Sequence, residues 1–494
     1  MAISLMVQGA GSNVGKSVIV TGLCRAMVRR GLNVCPFKPQ NMSNNAAAVA
    51  EGAEIGRAQQ LQAQACGIEA HADMNPVLLK PETETGAQII VQGRRLTTVK
   101  ARDYAALKPG LMRAVLESYG RLAARHDIVI VEGAGSAAET NLRRDDIANM
   151  GFARAAEIPV MIVGDIERGG VIAQLVGTKV VLDSADAELV CGFAINKFRG
   201  DPSLFRDGEQ DIEARTGWPH LGTVPWLQEV RWLPSEDSED LRNRPAERGG
   251  IRITCLSLPR IANFDDLDPL RFEPDISVSM LEPGQALPGD TDLVIVPGSK
   301  STRADLSFLR GQGWDVDIHA HIRRGGHVLG ICGGYQMLGK VIRDPGGIEG
   351  CAGEAAGLGL LDVETVMQAE KRVGEVTASA GDSRDRIRVY EIHIGQTRGS
   401  DTARPFATIE ENGRHRSDGA VSTDGRISGT YLHGLFADDG FRKSWLRRIG
   451  ARGGGISYRP QVEAALDSLA AHLEQHLQID RIVELMRTAG TKYT

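Results

Sequence analysis

Two stretches of the chain combine residue types and spacings that could do chemistry. In Gly330-Ile331-Cys332-Gly333-Gly334 a cysteine ends an apolar run that begins at His327 and is framed by glycines. This is the pattern of a nucleophile elbow, a tight strand-to-helix turn whose small neighbours leave the side chain exposed at a helix N-terminus. The helix dipole there favours the thiolate, which is the nucleophilic form. A lone cysteine after an apolar strand is commonly inert core, and it is the glycine frame that selects the nucleophile for Cys332. A thiol needs a base, and Thr430-Tyr431-Leu432-His433-Gly434 supplies an imidazole at another strand exit. His393, in Tyr390-Glu391-Ile392-His393-Ile394-Gly395, competes with His433 because it too ends a strand-like run. The expected oxyanion donors are backbone N–H groups of Gly333 and of the segment Pro297-Gly298-Ser299-Lys300-Ser301, Gly298 in particular. Cys351 lies in a glycine-rich loop without such a frame and is read as incidental.

The second stretch is Gly9-Ala10-Gly11-Ser12-Asn13-Val14-Gly15-Lys16-Ser17, which joins the apolar run Ile3 to Val7 to a helical pattern. Glycines let backbone N–H groups close around phosphate oxygens, a lysine meets the β- and γ-phosphates, and a serine hydroxyl can ligate Mg²⁺. Gly9, Ser12, Asn13, Val14, Gly15, Lys16 and Ser17 are therefore the expected ATP contacts. Ala10 stands where the common pattern has its first glycine. Further strand runs end at Lys38, Glu132, Asp165 and Asn196, polar residues that suit a nucleotide, a metal ion and an acidic substrate. Acids and amides at strand ends also serve as turn formers and caps. Glu132 is expected to share Mg²⁺ with Ser17, because hard cations prefer carboxylate oxygen. The amide-rich run after Lys38, with Gln40, Asn41, Asn44 and Asn45, is expected to hydrogen-bond a ligand bearing many carboxylates or amides, or else to form Asx turns.

These residues need a scaffold that brings strand ends together. Strand candidates alternate with helical stretches through both halves of the chain, which predicts doubly wound α/β folds with ligands at the carboxyl ends of the strands. At 494 residues the chain exceeds one core. An acidic, polar shift at 235–250 marks a linker, giving a nucleotide-binding domain at 1–234, a second α/β domain at 251–450 and a helical extension at 451–494. That extension, with Leu466, Leu469, Leu473, Leu477 and Ile482 at helical spacing, is expected to pack on the second domain. A net charge of -6 gives no electrostatic case for nucleic acid or an anionic membrane surface. Seven cysteines without a Cys-x-x-Cys spacing argue for a reducing compartment, and no apolar run approaches the ~18 residues of a membrane span. A cytoplasmic protein is expected.

Taken together, the motifs resemble the cobyric acid synthases, glutamine-dependent amidotransferases of cobalamin biosynthesis, over nearly the whole chain. The first half resembles P-loop domains of the dethiobiotin-synthetase type, which share the longer glycine spacing from Gly9 to Gly15. The second half resembles class I glutamine amidotransferases at the Cys332 elbow and at Tyr431-Leu432-His433-Gly434. Most specific are Lys38-Pro39-Gln40-Asn41-Met42-Ser43-Asn44-Asn45, Glu54-Ile55-Gly56-Arg57-Ala58-Gln59 and Gly164-Asp165-Ile166-Glu167-Arg168-Gly169-Gly170. The resemblance implies that Cys332 is the glutaminase nucleophile, His433 its base, Ser17, Glu54 and Glu132 Mg²⁺ ligands, and Asn196 an adenine contact. It implies ATP and Mg²⁺ as cofactors and glutamine and the corrinoid adenosylcobyrinic acid a,c-diamide as substrates, with successive amidation of four side-chain carboxylates. The glutamate that class I glutaminases usually carry two residues after the histidine is Leu435 here, so nothing in the motif orients the imidazole. Two rivals are the sister enzyme that makes the a,c-diamide and a non-catalytic P-loop switch with a degenerate glutaminase domain.

Overall fold

A computed structural model describes residues 2–82, 86–234, 250–380, 386–411, 413–451 and 455–492. The expected linker, apart from Gly250, lies outside them. In the N-terminal half, valine- and isoleucine-rich runs too apolar to expose either face form a six-stranded sheet in the order His220–Pro225, Val190–Phe198, Val160–Asp165, Ile3–Gly9, Ile128–Glu132, Val34–Phe37. Every pairing in it is parallel. The first strand is thus central, and its exit, the glycine turn before helix Lys16–Arg29, meets the exits at Glu132, Asp165 and Asn196 along one edge.

The C-terminal half repeats the plan. Strands Ile276–Leu281, Ile251–Leu256, Leu293–Val296, His327–Ile331 and Ile427–Thr430 lie parallel in that order, closed by the antiparallel Ala420–Val421. Cys332 leaves one of these strands and His433 follows its neighbour, so sheet order alone brings the pair together.

Two additions had no clear pattern in the sequence, one a mixed sheet in which Gln40–Met42 runs parallel to Val77–Pro81 and the other pairings are antiparallel. Gln40–Met42, Val77–Pro81, Gly86–Val91 and Arg94–Lys100 build a four-stranded sheet, beside the hairpin Ala46–Val49 and Ala53–Gly56. From the other half, the long hairpin Glu364–Ala380 and Ile387–Arg398 reaches them. Ala46, Ala48, Leu78 and Ile90 pack with Tyr390 and Ile392 in one small apolar cluster, which fastens the two halves where both sites lie.

The C-terminal helices Tyr458–His476 and Ile479–Lys492 correct the expectation that they pack on the second domain. Leu466, Leu469, Leu473, Leu477 and Ile482 are buried as their spacing predicts, but in the N-terminal core with Ile19, Leu23 and Met27. Arg25 of helix Lys16–Arg29 pairs with Glu463 and Asp467 across that contact. Periodicity marks a buried face without naming its partner. Leu473→Ala is expected to lower stability to denaturant by about 2–5 kcal/mol. Hydrogen exchange should then speed up in helix Lys16–Arg29 and not in strand His327–Ile331. Among the described residues no helix is long and apolar enough to cross a membrane.

Candidate functional site

Strand His327–Ile331 ends at Cys332, whose φ of 52° and ψ of -109° place it in a strained turn before helix Gly333–Leu338. The turn is tight enough that a Cβ on Gly334 would stand 1.9 Å from the Val296 carbonyl oxygen, which explains the glycine frame. The Cys332 side chain is 9 % exposed and lines a cavity with His433, Gly298, Ser299, Gly333 and His393. Lys80 and Gln88 of the N-terminal half line the same cavity, so it sits between the halves.

His433 is buried, stacked on the Tyr390 ring at 5.2 Å, and its Nδ1 lies 2.7 Å from Asp266 Oδ2. The other Asp266 oxygen accepts the Gly434 N–H at 2.6 Å. Asp266 therefore fixes both the imidazole and the turn that carries it, and it supplies the orienting group missing from the histidine motif. Burial works against an imidazolium at His433. The Asp266 carboxylate outweighs it, and with Cys332 adding to the effect the imidazole is pushed up to about 10. The rival, His393, is stacked on Tyr431 at 3.9 Å, and its Nε2 lies 3.6 Å from Glu391, which Arg416 also engages. Burial holds His393 below the usual histidine range despite that carboxylate. The two imidazoles thus have different carboxylate partners, and it is His433 that is coupled to the thiol.

The oxyanion assignment shifts by one residue. Gly298–Ser299 pairs antiparallel with Ile261–Ala262, and the Lys300 N–H donates to the Arg260 carbonyl. Bonded pairs alternate in such a ladder, so the Gly298 N–H is committed to Ala262 while the Ser299 N–H points away. The position of a Cβ on Gly333 would lie 2.9 Å from the Ser299 nitrogen. The Ser299 backbone therefore lies against Gly333, and Gly298 supplies the close approach to His433.

At the N-terminal site Gly15 has a φ of 91° and no room for a Cβ, which would meet the Asn196 amide at 2.3 Å. Asn196 donates to the Val14 carbonyl at 2.9 Å, and Lys197 to the Asn13 carbonyl at 2.6 Å. Asn196 thus braces the loop of Gly9, Ser12, Asn13, Val14 and Gly15, and its amide nitrogen does not reach outward to a base. Lys16 Nζ donates to the Gly135 carbonyl at 2.8 Å. Ser17 Oγ donates to Glu132 Oε1 at 2.7 Å, Lys38 Nζ to the same oxygen at 2.6 Å, and Gln62 Nε2 to Glu132 Oε2 at 2.5 Å. Lys38, read as a substrate contact, is in this structure a buried partner of Glu132.

Glu54 does not join that cluster. Lys80 holds one of its oxygens at 2.8 Å and Lys371 of the C-terminal half takes the other. Burial alone would raise the Glu54 carboxyl, but the two ammonium groups outweigh it and hold it at about 2. A carboxylate engaged in this way ties the halves together, away from the Ser17–Glu132 cluster. In the amide-rich run, Gln40 accepts from the Tyr104 hydroxyl at 2.6 Å and Asn41 donates to Gln59 at 3.0 Å. Asn44 donates to the Pro81 carbonyl at 3.3 Å, and the Asn45 N–H goes to Ser43 Oγ at 3.0 Å. Much of this run is therefore bonded within the protein, and the Asn44 Oδ1 is buried without a hydrogen-bond partner among the described residues.

Comparison with known proteins matches both halves of the chain. Residues 5–240 match the CobQ/CobB/MinD/ParA nucleotide binding domain, and residues 252–441 the CobB/CobQ-like glutamine amidotransferase domain. The chain is 63% identical to a cobyric acid synthase of Rhodobacter capsulatus over 98% of this chain and 100% of that one. It is 61% identical to the enzyme of Jannaschia sp. and 60% to that of Bradyrhizobium diazoefficiens, over 98% and 99% of its length and all of theirs. With a P-loop domain and a glutaminase elbow in one polypeptide, the chain belongs to the cobyric acid synthase family, ATP-using ligases of cobalamin biosynthesis that carry their own glutamine amidotransferase domain.

Proposed function

We propose that the chain amidates side-chain carboxylates b, d, e and g of adenosylcobyrinic acid a,c-diamide, giving adenosylcobyric acid, with ATP activating each carboxylate and glutamine supplying the nitrogen. The observation that carries this reading is the cavity at Cys332, lined by both halves and next to the domain that holds the nucleotide loop. A carboxylate is a poor acyl donor to nitrogen. Transfer of the γ-phosphoryl of ATP to its oxygen makes an acyl phosphate, with Lys16 offsetting charge on the moving group. The residues present fit Mg²⁺: Ser17 and Glu132 offer hard oxygens at the loop, and beside them Gln62 Oε1 is buried without a hydrogen-bond partner among the described residues. Bound there, Mg²⁺ would neutralise phosphate charge, with phosphate oxygens completing its shell. In this reading Glu54 is no ligand.

At the other site the Cys332 thiolate attacks the glutamine side-chain amide. Its oxyanion is met by the Ser299 and Gly333 N–H groups, and His433 gives its proton to the departing ammonia. Water hydrolyses the thioester to glutamate. Ammonia then attacks the acyl phosphate and phosphate leaves, sheltered from bulk water by the contact between the halves. The amide-rich run of Gln40, Asn41, Asn44 and Asn45 follows Lys38, a partner of Glu132 in the nucleotide cluster, and amides of this kind suit a ligand bearing several carboxylates.

Incubation with ATP, Mg²⁺, glutamine and the corrinoid a,c-diamide, followed by mass spectrometry, tests the reading. Four successive amidations are expected. Amidation only of the diamide's precursor would assign the sister reaction. ATP binding without glutamine hydrolysis would assign a switch.

A further inference from the structure

The segment Glu54-Ile55-Gly56-Arg57-Ala58-Gln59 is among the most specific motifs of the chain, yet the mechanism above gives Arg57 no task. Arg57 opens helix Arg57–Cys66, and its guanidinium crosses to the C-terminal half, where Nε lies 3.0 Å from Asp265 Oδ2. The next residue, Asp266, holds His433 Nδ1 and the Gly434 N–H. At the other side of the same helix, five residues and about 7.5 Å further along its axis, Gln62 donates to Glu132 in the nucleotide cluster. One short rigid element thus touches the group expected to face Mg²⁺ and the carboxylate pair behind the glutaminase base.

The contact at Arg57 is also incomplete. Arg57 Nε and Asp265 Oδ1 are both buried without a hydrogen-bond partner among the described residues, although the ion pair is within reach. Arginine and carboxylate pair best through two parallel N–H···O bonds. A small displacement of the helix would close that fork. It would pull on the Asp265-Asp266 peptide and so on the imidazole, and a 1 Å error in a catalytic group is costly.

We propose that Arg57 is a positioning residue for the glutaminase base, through which helix Arg57–Cys66 conveys the state of the Ser17–Glu132 cluster to His433. Nucleotide occupancy with Mg²⁺ rearranges Glu132, Gln62 follows, the Arg57–Asp265 fork closes, and His433 is set against Cys332. Glutamine hydrolysis is thereby matched to the presence of nucleotide. This rests on the glutaminase reading of Cys332 and His433.

Glutamine hydrolysis and alkylation of Cys332 by iodoacetamide, followed on its peptide by mass spectrometry, are measured with and without Mg²⁺ and a non-hydrolysable ATP analogue. In the unaltered chain the analogue is expected to change both rates at least about fivefold, a common size for coupling between sites. In Arg57→Ala the two rates should no longer respond to the analogue, kcat for glutamine should fall about tenfold or more with little change in KM, and ammonia-driven amidation should persist. Arg57→Lys, which keeps the charge, should restore much of the response. An Arg57→Ala protein that hydrolyses glutamine and responds to the analogue like the unaltered chain overturns the proposal, and so does equal loss with both nitrogen sources. Absence of any glutamine hydrolysis in the unaltered chain would instead overturn the glutaminase reading itself.

Discussion

Cys332→Ala is expected to abolish glutamine-driven amidation, by about 10⁴-fold or more, while amidation driven by added ammonia continues at a rate close to that of the unaltered protein. The expectation follows from where the sulfur sits. It faces a cavity between the halves, whereas the nucleotide loop from Gly9 to Ser17 hangs from a different sheet with its own core. Removing one sulfur leaves that loop, Glu132 and Lys38 untouched. It also leaves the fold nearly unchanged, since alanine meets the same backbone demand at φ 52° that cysteine already bears. That demand costs of the order of 1–3 kcal/mol for a residue with a Cβ. Cys332→Gly should therefore be more stable than Cys332→Ala, with the same loss of glutamine use. Ammonia-driven turnover should rise with pH in both, because only unprotonated ammonia attacks. Paired assays with glutamine and with ammonium salt check this, and loss of both activities in a folded protein would mean that the two sites are not separable.

The fold and the turns that carry Cys332 and the first glycine loop were legible because each rests on a local rule. The apolar runs Ile128 to Val131 and Leu293 to Val296 are buried on both faces, and glycines must surround Cys332 and follow the first strand wherever those turns occur. What was not legible depends on contacts between distant segments. Asp266 stands 167 positions before His433, in a run of acids that reads as solvated until Asn263, Phe264 and Leu267 are seen to carry it inward. The segment Pro297 to Ser301 offers several amides to an oxyanion, and a two-residue ladder that the sequence does not announce decides which of them is committed. The motifs lead to metal and substrate roles for Glu54 and Lys38, whereas in the fold Glu54 pairs with Lys80 and Lys371, and Lys38 with Glu132, partners that no local pattern announces. The C-terminal helices showed their buried face and hid its destination for the same reason.

Asp266→Asn should cost glutamine hydrolysis about 10²–10⁴-fold, with ammonia-driven amidation retained. The carboxylate accepts two hydrogen bonds, from His433 Nδ1 and from the Gly434 N–H. A side-chain amide has one oxygen to offer. If it serves Gly434, its NH₂ faces Nδ1 and forces the proton onto Nε2, the nitrogen that must deal with the thiol. If it serves His433, the Gly434 N–H is opposed and the turn carrying the imidazole shifts. Either way the charge that outweighs burial at His433 is gone. With Asp266 in place the folded imidazole titrates at about 10, above its ordinary value of about 6.5. The stability it contributes is therefore complete below about 6.5 and is lost as the pH rises through 10. In Asp266→Asn that decline should flatten, because the folded value moves down toward the unfolded one. The alkaline limb of glutamine hydrolysis should move down in pH with it, since the imidazolium that accompanies the thiolate is no longer held. Denaturation midpoints and kcat/KM for glutamine measured from pH 6 to pH 10 read both effects. Hydrolysis that kept its rate and its alkaline limb in the asparagine variant would show that His433 is oriented by something other than Asp266.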